Sequence, residues 1–435
     1  MTMKKKMIFV LLPVFVLSSC TSNSGHLLRK AEEAKDISRD DSASLDFKTF
    51  LDGMDSFCGE FMKEYALIND NRTTNLVSSP LSLYSALLLA SEATSGNTRS
   101  EILSALNIKD EEKLVDNIKI LYSLSQKERE SEDKDVYSLK EVLANSIWFD
   151  SSFPLKDGIL DTLSEKVYTS SFEVDFRKNS KKTNEIISEY VKKMTEGMID
   201  EHFDFSSATD FLLMNTLYLK TVWNHNGSDL SLSKDTYSFT SRDGKTKDVN
   251  LMYLPREVGK IMKGDGYSSY RAMSSGGISL RFILPDEDKD IREVMDEKTI
   301  HDVIQADYDG MDEVNKKKYI TTCYFPGFSS HSDSDVQSAL KNLGIHDFFS
   351  EKCDTSPLSD RKTSCDGVRH VAKLDVDRKG VEGSALTVTS FATAIGPGPK
   401  IYEEVYEDFI VDRAFGYVIT DNYGVPLFTG ITNSI

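Results

Sequence analysis

Val381-Glu-Gly-Ser-Ala-Leu-Thr-Val-Thr-Ser-Phe-Ala-Thr-Ala-Ile-Gly-Pro-Gly-Pro399 holds one charged residue, Glu382, in a chain that is 28% charged. By proportion the stretch should hold about five charges. Two-residue periodicity puts Val381, Gly383, Ala385, Thr387 and Thr389 on one face and Ser384, Leu386, Val388 and Ser390 on the other, so neither face resists burial. The stretch is nevertheless bounded as a loop. Gly380 precedes it, Gly396-Pro-Gly-Pro399 closes it, and the acidic run Glu403, Glu404, Glu407, Asp408 follows. These features predict a segment that is a loop in one state and a central strand in another.

The remaining chain has the makings of a large globular body. It has 435 residues, 39% of them hydrophobic, enough to bury an extensive core. Its formal charge of -18 repels nucleic acid phosphates, and no basic patch interleaved with aromatics offsets that, so nucleic acid is excluded as a partner. The amino terminus is separate in character. Lys4, Lys5 and Lys6 precede an apolar run, Met7 to Leu17, that is too short to span a bilayer, and Leu17-Ser-Ser-Cys20 follows. This is an export signal over residues 1–19, and Leu-Ser-Ser-Cys resembles a bacterial lipobox, which implies cleavage before Cys20 and lipid on its thiol. The competing reading is an ordinary secretory peptide with a chance cysteine. Contact with a membrane is then expected through the lipid anchor alone, at the bacterial envelope or cell surface. Residues 20–44 are polar and poorly periodic and read as a tether, able to reach roughly 80 Å when extended. Cys58, Cys323, Cys353 and Cys365 are too few for a disulfide scaffold and lack zinc-ligand spacing; Cys353 and Cys365 are the nearer pair.

From Leu45 the pattern is helical, with Phe47, Phe50, Leu51, Met54, Phe57, Phe61 and Met62 at spacings of three and four. Ser79-Pro80 supplies an N-cap and a first-turn proline for a helix apolar on nearly every side, Leu83 to Ala93. Thr183 to Glu196 is a further helix. Glu141–Trp148, Phe211–Trp223, Leu280–Leu284, Tyr319–Phe328 and His370–Val376 read as strands, and Phe409–Thr420 forms a terminal hairpin with Val425–Ile431 through a turn at Asp421 to Gly424. Helices lead and strands follow, which argues for α+β over alternating units, in one body from 45 to 435. The templates for enzymes are missing: there is no Gly-x-Ser-x-Gly and no His-Glu-x-x-His, and Asp243-Gly-Lys-Thr246 lacks the upstream glycine of a phosphate loop and reads as a turn. No cofactor is expected.

Asn75-Leu-Val-Ser-Ser-Pro-Leu-Ser82, Ala144-Asn-Ser-Ile-Trp148, Asn215-Thr-Leu-Tyr-Leu-Lys220 with Trp223, Gly380-Val-Glu-Gly-Ser-Ala385, and Asp412-Arg-Ala-Phe415 through Gly430-Ile-Thr-Asn433 occur in an order that resembles the serpin family. The resemblance spans roughly residues 45 to 435. It implies a single α+β domain of helices packed around three mostly antiparallel sheets, with residues of about 380–400 as an exposed reactive loop. It also implies a suicide-substrate mechanism, in which a target protease cleaves the loop and is trapped as the loop enters the main sheet. Ser79, Ser82, Asn215 and His370 match the family's shutter, and Trp223 its breach. Read without the motifs around them, these are core polar groups and a core indole. Gly380, Val381, Glu382, Gly383, Ser384 and Ala385 match the hinge. Counting from Gly380 with the family's usual spacing, the resemblance implies a scissile bond at Ala394-Ile395, with Thr393 as a neighbouring candidate. These small or aliphatic residues suit a protease with a small apolar pocket, serine or possible cysteine class. The inhibitor is expected to be a monomer, with the hinge exposed before cleavage. Four positions depart from the pattern: Arg378 stands where an acid is usual, Val381 replaces serine or threonine, Leu386 exceeds the usual alanine, and Thr221 replaces glycine. Two other readings stay open, a non-inhibitory serpin cleaved as a mere substrate and a surface lipoprotein acting as a binding module.

Overall fold

The computed structural model describes residues 25–34, 39–69, 71–130, 138–223, 229–274, 277–365, 367–382 and 402–435. Cys20 and the loop positions Gly383, Ser384, Ala385, Thr393, Ala394 and Ile395 lie outside the described residues.

Helix α1 (Leu45–Ile68) starts where Ser44 accepts the Phe47 N–H, and it buries Phe47, Phe50, Met54, Phe57 and Phe61 along one stripe. Its Gly59 is required by a neighbour, since a Cβ there would meet the Glu297 Cα at 2.3 Å. Helix α2 (Pro80–Glu92) begins at the Ser79 cap and is buried nearly all round, in keeping with its lack of a polar face. These helices pack against a six-stranded sheet in which Ser279–Pro285, Phe415–Thr420 and Pro426–Thr432 are buried at every position. A five-stranded sheet contains Met252–Val258, Lys317–Phe325 and Glu403–Ile410.

The main sheet has eight strands, labelled here in chain order: β1 (His26–Arg29), β2 (Gln126–Glu130), β3 (Ser138–Asp150), β4 (Thr169–Val174), β5 (Phe211–Val222), β6 (Phe328–Asp335), β7 (Arg369–Val376) and β8 (Gly380–Glu382). Its order is β1-β4-β3-β5-β8-β7-β6, with β2 beside β3. Helix α3 (Phe176–Met194), capped by Asp175, connects β4 to β5 and buries Phe176, Ile187 and Val191. The architecture is α+β, with three main sheets and a two-stranded ribbon, Tyr237–Thr240 with Thr246–Val249. The ribbon's turn carries Asp243-Gly-Lys-Thr246, where Gly244 has φ +84°, a conformation glycine adopts without strain.

Three sequence expectations change. Residues 26–29, expected in a tether over 20–44, form an edge strand antiparallel to β4; Ala31 N–H donates to Ser170 Oγ at 3.1 Å, and Ser164 Oγ to the Lys30 carbonyl at 2.8 Å. The segment has few apolar residues, and backbone pairing to an open sheet edge supplies what its side chains do not signal. Phe409–Thr420 is two strands rather than one, because the chain leaves the five-stranded sheet after Ile410 and enters the six-stranded one at Phe415. Tyr319–Phe328 likewise divides between Lys317–Phe325 and β6.

Candidate functional site

The main sheet is open along its middle. Strands β5 and β7 run parallel and are joined at one end by the three residues of β8, which pair antiparallel with both. Below that junction lies a cavity of about 800 Å³, lined on one side by Phe211 to Leu217 and on the other by Arg369 to Lys373. Leu83, Leu87 and Ala90 of α2 form its floor, while Val191 of α3 and the following Thr195, Met198 and Ile199 cover it. Consistent with an unfilled flank, Phe211 to Asn215 are half-buried whereas Thr216 to Leu219 are buried. A strand-wide slot with backbone on both edges can accept one further strand.

The hinge enters this slot through a tight turn. Asp377 Oδ1 accepts the N–H groups of Lys379 at 2.7 Å and Gly380 at 3.1 Å. Gly380 passes so close to β5 that a Cβ would meet the Thr221 carbonyl oxygen at 1.8 Å, which no rotamer relieves. Val381 follows, level with Thr221 and Val376, and is 1% exposed. The hinge is therefore not wholly exposed before cleavage, as the sequence suggested: Gly380 to Glu382 already form strand. The reason is local, since Val381 is apolar and β-branched and its inward face meets core. Trp223 sits at this junction, buried, donating from Nε1 to the Asp377 carbonyl at 2.6 Å and packed edge-on against Phe325. Arg378 donates to the Leu230 carbonyl at 2.6 Å and, among the described residues, makes no ion pair.

Ser79, Ser82, Asn215 and His370 all line the slot, and they fall into two groups. On the β7 side, His370 Nε2 accepts the Ser79 N–H at 3.1 Å and lies 3.3 Å from Ser78 Oγ. Ser79 Oγ donates to the Leu427 carbonyl at 2.9 Å and accepts the Ser82 N–H at 3.3 Å, so the cap of α2 is also a tie to the six-stranded sheet. On the β5 side, Asn215 Nδ2 donates to Asn145 Oδ1 at 2.6 Å, and Asn145 in turn donates to the Val167 carbonyl at 3.0 Å and to the Tyr122 hydroxyl. Asn215 Oδ1 is buried with no hydrogen-bond partner, an acceptor held at the slot edge. Among the described residues, no hydrogen bond joins the two groups across the slot. Ser78, Asn145 and Asp377 were not singled out from the sequence, although Ser78 and Asn145 lie inside the quoted motifs.

Burial pushes the His370 imidazole down to about 4. Because an unfolded histidine titrates near 6.5, the unfolded chain takes up the proton first as pH falls. This contribution to stability is complete above pH 6.5 and declines between pH 6.5 and 4, by about 3 kcal/mol in all. Protonation at Nε2 also removes the acceptor for Ser79 N–H. Urea unfolding measured across this pH range is expected to show that slope in the native protein and a flatter one in His370→Gln; equal slopes would mean that His370 does not report on the slot.

A family model described as Serpin (serine protease inhibitor) matches residues 52–435. The chain belongs to the serpin family. Serpin A3-1 of Bos taurus is 25% identical over 404 residues, covering 91% of this chain and 92% of its own. The leukocyte elastase inhibitor of Sus scrofa is 25% identical over 365 residues, covering 82% and 92%. Among solved structures, Serpin48 of the insect Tenebrio molitor superposes with a TM-score of 0.69 at 21% identity, covering 89% of this chain and 98% of its own. Serpins are protease inhibitors rather than catalytic enzymes, so the slot and its hinge, not a catalytic constellation, are where this chain's chemistry is to be sought.

Proposed function

We propose that this serpin is a suicide-substrate inhibitor of elastase-like proteases, whose cleaved loop fills the slot between β5 and β7. The observation that carries the reading is the hinge already in register with both edges. Continuing the pairing of Val381 with Val376 and Thr221 down the slot brings Thr387 level with both His370 and Asn215. Its hydroxyl would there meet the unpartnered Asn215 Oδ1, and the residues sharing its face, Gly383, Ala385 and Thr389, are small or β-branched. Ser79, Ser82, Asn215 and His370 would act as the shutter that parts for the strand, and Trp223 as the breach that anchors the turn above it. About a dozen new ladder hydrogen bonds at roughly 1 kcal/mol each, with apolar burial, rival the about 5–15 kcal/mol stability of a protease domain. Insertion can therefore distort the acyl-enzyme before water releases it, and the uncleaved state is held kinetically.

Attack at Ala394-Ile395, with Thr393 adjacent, suits a shallow apolar specificity pocket, and a relative is named for leukocyte elastase. Mixing the protein with pancreatic elastase and running a denaturing gel tests this. A complex that survives denaturation supports inhibition. Loop cleavage with free protease supports a substrate-only serpin, and no cleavage between residues 390 and 400 supports a binding lipoprotein.

The location proposed is the bacterial envelope, through lipid on Cys20. Since β1 docks from His26, the residues from Cys20 to there span at most roughly 20 Å, so the body would sit close to the membrane rather than far above it. Cys20→Ser is expected to move the protein from the membrane to the soluble fraction with its inhibitory activity intact; equal retention of mutant and wild type would refute the lipid anchor.

A further inference from the structure

The cover over the slot is held down by different chemistry on its two sides. On the β3–β4 side, Tyr190 of α3 packs edge-on against Trp148 with ring centroids 5.1 Å apart and against Phe172 at 5.5 Å, while Phe176 and Ile187 are buried in the same apolar cluster. Residues 195–205, which follow α3, are knit back onto it. The Phe203 N–H donates to Ser188 Oγ at 3.0 Å, the Phe205 N–H to Asn184 Oδ1 at 3.2 Å, and Asn184 Nδ2 to Asp204 Oδ1 at 2.9 Å. On the β6–β7 side the same segment is held by charge. Glu201 Oε1 lies 2.6 Å from His331 Nε2 of β6, and Glu201 Oε2 lies 3.6 Å from Arg369 Nη2 at the start of β7. The Arg369 guanidinium carbon sits 4.6 Å from the centre of the Phe203 ring. Asp333 fixes that guanidinium with two bonds, from Nε to Oδ1 at 2.7 Å and from Nη2 to Oδ2 at 2.5 Å. Phe203 and Arg369 both line the slot, so this contact closes the cover across it.

We propose that Glu201, with His331 and Arg369, is an electrostatic latch that holds this cover over the slot, and that its release is the slow step in insertion of the cleaved loop. The proposal rests on the insertion reading above. The hinge register that sets Val381 beside Val376 and Thr221 brings Val388 level with Arg369 and Met214. Val381 to Thr387 can therefore pair before the entering strand reaches the latch. Val381 faces the core, so Leu386 and Val388 fall on the opposite face, toward the cover, where Met198, Ile199 and Phe203 lie. Both side chains must enter between the sheet and the segment that Glu201 ties to β7, and that tie opens before they seat. Lifting the cover on its β3–β4 side would expose the aromatic cluster to water. On the β6–β7 side only a half-buried charge contact is lost, and water partly replaces it. The cover thus swings on its apolar edge and is released at its charged one.

The test compares full-length wild type with Glu201→Ala, which removes the latch, and Glu201→Gln, which removes its charge and keeps its shape. In the uncleaved protein, hydrogen exchange of the Phe203 and Phe205 amides is expected to be about fivefold faster in Glu201→Ala, because an unlatched segment opens more often. Equal exchange in wild type and both variants overturns the latch, and this measurement needs no protease. The second measurement is the rate at which a heat-stable form appears after loop cleavage by pancreatic elastase. Glu201→Ala is expected to be about tenfold faster than wild type, with Glu201→Gln between them. In about 1 M salt wild type should approach the variants, since a charge contact is screened. A side chain that merely supports the native fold would not speed insertion on removal. Faster exchange with an unchanged insertion rate overturns the latch as the slow step. Wild type that gains no heat stability after cleavage sinks the insertion reading itself, while the exchange rates still decide whether Glu201 holds the cover.

Discussion

Ala394→Arg is expected to redirect the inhibitor from elastase-like to trypsin-like proteases, with the rate of trapping changing by about a hundredfold or more in each direction. An arginine fills a deep pocket with an acid at its base, whereas in a shallow apolar pocket its charge is left desolvated and unpaired. With Ala394 as the proposed residue read by the protease, cleavage specificity would be set by this one side chain, while the work of trapping would be done by the strand that precedes it. The variant should therefore lose its old target without losing its mechanism. In the inserted strand Ala394 falls beyond Phe391, the residue that reaches the end of β5 at Phe211 by the hinge register, so the arginine does not obstruct the slot. Second-order rates with elastase and trypsin, together with the mass of the loop fragment, decide the matter. Unchanged trapping of elastase would place the scissile bond elsewhere in the loop.

Much of this arrangement is visible in the sequence because it depends on local chemistry. Ser79-Pro80 dictates the start of α2, and the alternation of His370, Ala372, Leu374 and Val376 dictates which face of β7 is buried. Side-chain pattern is blind where backbone alone decides. The His26–Arg29 strand, His-Leu-Leu-Arg, is too short to show a side-chain period and joins the sheet because β4 offers an unpaired edge. The break between Ile410 and Phe415 is a change of sheet, marked in the sequence only by the charged pair Asp412-Arg413. The polar contacts of the slot were equally out of reach. Asn215 and Asn145 are 70 residues apart, and only the antiparallel register of β3 and β5 sets them opposite each other. Arg378, which stands where the family pattern has an acid, serves as a hydrogen-bond donor to the Leu230 carbonyl, a partner that carries no sequence signature.

Val381→Arg is expected to convert the inhibitor into a substrate, and the structure adds a second effect that the sequence did not foresee. Val381 is already inside the sheet, 1% exposed, between Val376 and Thr221. An arginine cannot stay there without leaving an unpaired charge in the core, at a cost of several kcal/mol. The cheaper response is for the three residues of β8 to peel out, which gives up their pairing with β5 and β7 and lowers the stability of the uncleaved protein by about 1–3 kcal/mol. Attack at the proposed bond, Ala394-Ile395, should be unaffected, because it lies thirteen residues along the chain from Val381. After cleavage the strand must re-enter from the hinge, and its first inward position now rejects the core, so deacylation overtakes insertion. Two measurements follow: the number of inhibitor molecules consumed per protease inactivated, expected to rise about tenfold or more as the partition between trapping and release shifts by more than about 1.4 kcal/mol, and the thermal midpoint before and after loop cleavage. Wild type should gain stability on cleavage, while the variant starts lower and gains little. If Val381→Arg traps protease with the stoichiometry of wild type, the loop does not enter through Gly380 to Glu382, and the short strand seen there is not the beginning of the inserted one.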